Sequence, residues 1–323
     1  MIVRRSLTFL LLWPVLCAAI SAQEPTPPTQ VGPNVKLNLI AIDRSQHAYD
    51  ELTKDSVTVL EDKVPQTLSG FAKDERPVRY GIAIDSSGSF RTLLGSSLNA
   101  AKFLIDSNRA TDETLLIGFI SSNKIDTIQD FTADKSLLTG ALKNFKVEAG
   151  QSAVIDAIYV AVQAVAARNA LDPAVRHALV LVSDGEDRAS YYTLDQLLQL
   201  LRATDVQVFI VGIVSELDAA SGLIRLSPRT KAEHLLQTVA QESGGRVFFP
   251  RSVSEITEAA AQIAHDLRMQ YVIDYQSTNV KAKDNFRKIE VKIVEAPGRA
   301  KLTPVTRPGY FLIRPEVKAN KKR

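Results

Sequence analysis

The sequence predicts an α/β protein: a doubly wound, mostly parallel sheet with helices on both faces, carrying a small β domain formed by its N- and C-terminal flanks. Three observations predict it. Between Arg79 and Gln270, short runs that are apolar throughout (RYGIAI, ETLLIGFI, HALVLV, VQVFIVGI) alternate with stretches of helical spacing, the pattern of strands covered by helices on both faces. Before and after that region the rhythm changes to alternating apolar and polar residues, which reads as half-buried β structure. Third, each strand of such a sheet runs up to its carboxyl edge and each helix returns. The chain therefore enters the first strand and leaves the last helix at the same end, where both β stretches meet, opposite the carboxyl edge.

The elements follow in order. VKLNLIAI (35–42) alternates as a strand, and SVTVLEDKVPQTLSGFA reads as two strands around a turn at Asp62–Lys63, so residues 34–76 form an N-terminal β flank. Residues 77–270 are the α/β domain. RYGIAI is its first strand, and SSLNAAKFLIDS follows with helical spacing at Leu98, Ala101 and Phe103–Leu104. ETLLIGFI is a buried strand with KIDTIQDF as its hairpin partner, and SLLTGALKNF is a short helix. SAVIDAIYVAVQAVAARNA carries a wide apolar stripe and predicts a long helix. HALVLVSD and VQVFIVGI are strands with the helix LDQLLQLLRA between them. AEHLLQTVAQES is a helix stopped by Gly244–Gly245. RVFFP is a last short strand, and SVSEITEAAAQIAHDLRMQ is a final helix capped by Ser252 or Ser254. Residues 271–315 return to β with YVIDYQST, FRKIEVKIVE and KLTPV, with a turn at Pro297–Gly298. There is no internal repeat.

The two ends read differently. Arg4 and Arg5 precede a 14-residue apolar run and the small residues of SAQ, the three-part pattern of a secretory signal peptide over residues 1–22, cleaved near Ala22. A membrane-spanning helix needs about 20 apolar residues, so contact with a membrane is expected only through this transient leader. Residues 23–33 (QEPTPPTQVGP) are a Pro-rich linker, and residues 316–323 are a basic tail. Cys17 is the only cysteine and lies in the leader, so the mature chain enters a secreted or periplasmic compartment without disulfides. Removing Arg4 and Arg5 leaves 37 basic residues against 36 acidic, a balance in which nothing suggests nucleic acid, and no nucleic-acid partner is expected.

The carboxyl edge gathers oxygens. Asp85 ends the first strand, and Ser87 and Ser89 follow at i+2 and i+4, a spacing that turns three oxygens inward on a tight loop. Ser152 opens the long helix, where it can cap and point upward at once. Asp184 ends HALVLV. An oxygen-only set with two carboxylates suits a hard cation, Mg²⁺, Mn²⁺ or Ca²⁺. No His or Cys cluster points to zinc. Neutral hydroxyl ligands leave the ion under-compensated and ready for an external carboxylate.

DSSGS, then GQSAVIDA, then VSDGED resemble the metal-ion-dependent adhesion site of von Willebrand factor type A domains. The resemblance spans residues 77–270, and the flanks are similar to those of a secreted bacterial subgroup of the family. It implies that Asp85, Ser87, Ser89, Ser152 and Asp184 hold the ion. Position 152 departs from the family, which usually has Thr there. The hydroxyl survives and the methyl that restricts its rotamers is lost. Lys63 stands where the subgroup has a turn glycine.

The expected function is extracytoplasmic, divalent-cation-dependent protein binding, in adhesion or assembly, with a partner offering an Asp or Glu carboxylate. Catalysis is not expected. A metal-dependent hydrolase would need a base poised near the ion, and none is evident. A metal-independent envelope scaffold is the other alternative. Glu186 and Asp187 read as solvent-facing loop charges, and Asp156 reads equally as a support for the ion site or as a surface residue. His47, His177, His234 and His265 are scattered. Tyr191 and Tyr192 follow the Asp184 loop and read as packing residues.

Overall fold

The structure is a computed structural model that describes residues 32–169, 174–220, 226–279, 285–295 and 301–313. The chain divides into two compact units, Met1–Gln30 and Val31–Arg323, and all described residues belong to the second. The expected signal peptide, most of the Pro-rich linker, the Pro297–Gly298 turn and the basic tail lie outside the described residues.

The N-terminal flank comprises β1 (Asn34–Ile42), β2 (Val57–Glu61), β3 (Val64–Gln66) and β4 (Leu68–Lys73). The α/β region runs β5 (Val78–Asp85), α1 (Leu94–Asp106), β6 (Glu113–Ser121), β7 (Lys124–Thr132), α2 (Lys135–Ala141), α3 (Val154–Asn169), β8 (Arg176–Ser183), α4 (Leu194–Ala203), β9 (Val206–Gly212), α5 (Pro228–Ser243), β10 (Val247–Phe248) and α6 (Val253–Asp266). The C-terminal flank adds β11 (Tyr271–Gln276), β12 (Phe286–Ile293), β13 (Thr303–Val305) and β14 (Gly309–Phe311).

The central sheet has the order β10-β9-β8-β5-β6-β7. Its neighbours pair in parallel except β7, which returns antiparallel to β6 as a hairpin edge. Strand alternation splits the core into two layers. Ile82, Ile84, Val180 and Val182 face Ala101, Leu104, Leu138 and Ile263 of α1, α2 and α6. Ala83, Leu179, Leu181 and Val208 face Ile158, Val162, Leu197 and Leu236 of α3, α4 and α5. Burial on both faces is why these strands read as unbroken apolar runs. Helix ends follow their caps. Thr193 and Gln196 form a capping box on α4, Ser227 and Ser252 cap α5 and α6, and α5 stops at Gly244 in the left-handed region (φ 73°).

The flanks build two further four-stranded sheets, β13-β1-β11-β4 and β14-β12-β2-β3, with strands from both ends of the chain in each. β1 pairs with β11 from Asn34↔Gln276 to Leu39↔Tyr271, and β2 pairs with β12 from Val57↔Ile293 to Glu61↔Ile289. Leu37, Leu39, Val59, Ile273, Tyr275 and Val291 form their shared core. The Glu61 carboxylate is fully buried and accepts hydroxyls from Tyr275 (2.9 Å), Ser277 (2.7 Å) and Tyr310 (3.1 Å), which links the two sheets. The stretch after the Asp62–Lys63 turn holds two strands rather than the expected one. β3 pairs with β2, and β4 pairs with β11 in the other sheet. Pro65 has no N–H to offer a second neighbour, so β3 ends as a three-residue edge strand and the chain changes sheets at Thr67.

The flank packs against the amino-terminal ends of the parallel strands. The Pro77 carbonyl accepts the Arg176 N–H at 2.9 Å, and Asp74 lies 3.4 Å from the Arg176 guanidinium. The opposite, carboxyl edge is left for the loops after β5, β8 and before α3.

Candidate metal centre

β5 carries Asp85 to the carboxyl edge and buries it completely. Its Oδ1 accepts the Ser87 N–H at 2.9 Å, the tight turn that brings Ser87 and Ser89 back toward the strand end. A single 3₁₀ turn over Gly88–Phe90 completes the loop and is pinned by the buried Phe90 ring. The Ser87 and Ser89 hydroxyls lie 3.1 Å apart. Ser152 donates its hydroxyl to Asp85 Oδ2 at 3.0 Å. From the far side, Ser89 donates to Asp184 Oδ2 at 3.3 Å. All five expected residues therefore converge in one continuous hydrogen-bonded set. Four of them are buried, and Ser89 is exposed.

Two carboxylates share this pocket. Burial first, and then the nearby Asp85 charge, push the Asp184 carboxyl up to about 6. Burial also raises Asp85, against the opposing hydrogen bonds of Ser87, Ser183 and Ser152. Among the described residues neither forms an ion pair; Arg188 turns to Glu186 instead, at 2.7 Å. A buried pair of acids without a counter-charge is unfavourable on its own. It becomes favourable when a cation enters, and hydroxyl and carboxylate oxygens are the donors a hard cation takes. Asp85, Ser87, Ser89, Ser152 and Asp184 thus fit a divalent ion by their chemistry and by their mutual repulsion. Among the described residues no three His, Cys, Asp or Glu side chains are placed together to hold a metal ion, so the set depends on its hydroxyls.

A family model described as the von Willebrand factor type A domain matches residues 81–262, more than half of the chain. The chain belongs to that family. Solved structures similar to it include a conserved hypothetical protein, BatB, from Bacteroides thetaiotaomicron, 19% identical, with 59% of this chain and 98% of that one covered and a TM-score of 0.43. A von Willebrand factor type A protein from Catenulispora acidiphila is 12% identical, with 87% and 75% covered and a TM-score of 0.48. Proximal thread matrix protein 1 from the mussel byssus, in a structure with a zinc-occupied MIDAS motif, is 14% identical, with 65% and 50% covered and a TM-score of 0.47. No curated protein matches the chain.

The von Willebrand factor type A domain supports this edge with residues that the sequence reading missed or misplaced. Ser183 is buried and donates to Asp85 Oδ2 at 2.9 Å, so that oxygen holds two hydroxyls. The signal for it was only its place beside Asp184. Asp187, read as a solvent-facing charge, is half-buried and accepts the Ile155 N–H at 3.1 Å. Ser190 accepts the Asp156 N–H at 3.1 Å. Between them they cap α3 from a remote loop, which frees the Ser152 hydroxyl from capping. The Ser152 carbonyl in turn accepts the N–H groups of Arg188 (2.9 Å) and Ala189 (3.2 Å). Asp156 is buried, not on the surface. It accepts the Ser122 hydroxyl and the N–H groups of Tyr191 and Tyr192, both at 2.8 Å. Tyr192 stacks on buried Tyr159, with centroids 3.7 Å apart, while Tyr191 stays exposed. At Gly185 φ is +74°, and a Cβ there would meet Leu236 Cδ1 at 2.7 Å, so the bend that presents Asp184 requires glycine.

Proposed function

We propose that this von Willebrand factor type A protein is an extracytoplasmic, divalent-cation-dependent protein-binding module, acting in adhesion or assembly and not in turnover. The observation that carries the reading is the convergence of Asp85, Ser87, Ser89, Ser152 and Asp184 at the carboxyl edge of the sheet, where open α/β folds bind ligands. A bound Mg²⁺, Mn²⁺ or Ca²⁺ would supply a Lewis-acid seat for a partner's Asp or Glu carboxylate. The chain's own residues prepare that seat. Asp85 is fixed by three hydrogen bonds, so its carboxylate cannot swing toward solvent. Asp184 and Asp85 supply the negative charge, and the three serines supply neutral oxygens that leave part of the ion's charge for the partner. Ser89, the exposed member, marks the side from which a partner reaches the site. Asp156 and Asp187 hold the 186–192 loop as a rigid rim.

The proposal extends to the whole chain. Residues 1–22 act as a cleaved leader and 23–33 as a linker. Residues 34–76 and 271–315 form a β domain beside the 77–270 domain, and 316–323 form a basic tail. Among the described residues no helix is long and apolar enough to cross a membrane. The test is a melting titration of the purified chain with Mg²⁺ or Mn²⁺. A native-state ligand at 100 times its Kd adds about 2.7 kcal/mol. Wild type is expected to rise and Asp85→Ala to stay level. An equal rise in both removes the metal from the reading, and partner capture from envelope extract that survives both EDTA and Asp85→Ala favours a metal-independent scaffold.

A further inference from the structure

Resting on the metal-seat reading, we propose that Tyr191 is the partner-contacting residue beside that seat. Its exposed ring grips an apolar side chain that flanks the partner's metal-bound Asp or Glu. Tyr191 is 43% exposed. The other large exposed aromatic among the described residues, Phe103, lies near the C-terminal end of α1, away from the carboxyl edge. Single exposed apolar side chains are common on proteins and need no role. Tyr191 differs from them in how it is held and in where it stands.

The loop that carries it is fixed from two sides. The Ser152 carbonyl accepts the N–H groups of Arg188 and Ala189. The Asp156 carboxylate, 2% exposed, accepts the Ser122 hydroxyl and the N–H groups of Tyr191 and Tyr192, both at 2.8 Å. Burying an acid is costly, and this one fixes a stretch of backbone that ends in an exposed ring. Beneath it, Tyr192 stacks on the fully buried Tyr159, with centroids 3.7 Å and planes 14° apart. Tyr191 meets Tyr192 edge-on, at 5.5 Å and 85°. The three tyrosines form a strut that rises from the core and presents its last member to solvent. A ring held in place beforehand loses little freedom on binding, which is why rigid tyrosines serve well as interface anchors.

Position and charge name the kind of partner. The Ala189 N–H is held 3.2 Å from the Ser152 carbonyl, and two further residues of chain span at most about 7 Å. Ser152 itself donates to Asp85 in the seat. Tyr191 therefore stands within reach of the residues that flank a carboxylate seated on the ion. Glu186 and Arg188, between Asp184 and Tyr191, pair with each other at 2.7 Å, so this stretch of rim has no net charge to offer. Its complement is a segment with one acid for the ion and an apolar neighbour for the ring, best an aromatic one, rather than a run of acids.

The test titrates two peptides, acetyl-Gly-Phe-Asp-Phe-Gly-amide and acetyl-Gly-Gly-Asp-Gly-Gly-amide, into the full chain by calorimetry, once in Mg²⁺ and once in EDTA. Wild type is expected to bind the Phe-flanked peptide about fivefold more tightly than the Gly-flanked one, and only in Mg²⁺. Tyr191→Ser should bring the two peptides to equal affinity while its Mg²⁺-dependent rise in melting temperature stays at the wild-type value. Tyr191→Phe should keep the preference. Equal affinities in wild type, binding of neither peptide, or a preference that survives Tyr191→Ser overturns the role of Tyr191; so does a Tyr191→Ser variant that loses its Mg²⁺ response, which marks the ring as structural. In each of these cases a wild-type Mg²⁺ response leaves the metal seat standing, whereas its absence removes the seat as well.

Discussion

Replacing Asp184 by Asn should stabilise the ion-free protein, although it removes a residue of the proposed metal centre. In the fold, burial and Asp85 raise the Asp184 carboxyl from 3.8 to about 6. The folded state therefore keeps a proton that the unfolded state releases. For a group shifted in this direction, stability is highest at low pH and falls as pH rises from about 4 to about 6. Above that it stays lower by about 2.2 units at 1.36 kcal/mol each, or about 3 kcal/mol. Asn keeps an oxygen to accept the Glu186 N–H, 2.9 Å away in the wild type, and carries no charge to bury. In EDTA at pH 7 the variant should melt higher. At about 2–4 °C per kcal/mol for a domain of this size, the rise is about 6–12 °C. Asp266, also raised to about 6 by burial despite its pairing with Arg246, adds its own slope to both proteins, so only the difference between them reports on Asp184. With Mg²⁺ at about 1,000 times its Kd the order should reverse, because wild type then gains about 4.1 kcal/mol of binding energy and the variant does not. Scanning fluorimetry across pH 4–8, with EDTA and with Mg²⁺, reads all four curves. An Asp184→Asn variant that melts at or below wild type in EDTA at pH 7, or a difference that does not change with pH, refutes the electrostatic account of this site.

Two further substitutions test the supporting geometry. Gly185→Ala places a Cβ 2.7 Å from Leu236 at a positive φ, so strain and overpacking together should cost about 2–4 kcal/mol in urea denaturation and blunt any cation response. Lys63 and Asp62 both occupy the left-handed region, with φ of 70° and 47°, in the two-residue turn between β2 and β3. Lys63→Gly should stabilise by about 0.5–1 kcal/mol, read as a higher urea midpoint with an unchanged slope, while Asp62→Gly should not, because Asp62 accepts from Asn279 at 2.9 Å and Lys288 at 3.0 Å.

The central sheet was legible because its strands are buried on both faces and so spell apolar runs; β5, β6, β8 and β9 sit on the quoted runs. The gathering of Asp85, Ser87, Ser89, Ser152 and Asp184 was legible for a related reason, since strand ends of one parallel sheet must share an edge. What was lost depended on contacts with no local pattern. Ser183 sits next to an expected ligand, yet its role follows only from the side of the strand it occupies. Asp187 and Ser190 cap a helix more than thirty residues earlier, and no spacing rule announces a cap supplied from a distance. The switch of sheets at Thr67 turned on Pro65, whose missing N–H was visible but whose consequence needed the neighbour strand.

The crossed pairing of the chain's two ends has a consequence for synthesis. β1 finds its partner strand 242 residues later, at Gln276, and its ladder on that side stays open until then. At 5–20 residues per second the wait is about 12–50 s. A chain truncated before Tyr271 leaves β1 and β2 without β11 and β12, and bare strand edges of this kind recruit other chains. C-terminal deletions should therefore yield aggregates rather than a smaller working protein, and the strands after Tyr271 act as the latch on a fold whose working edge they never touch.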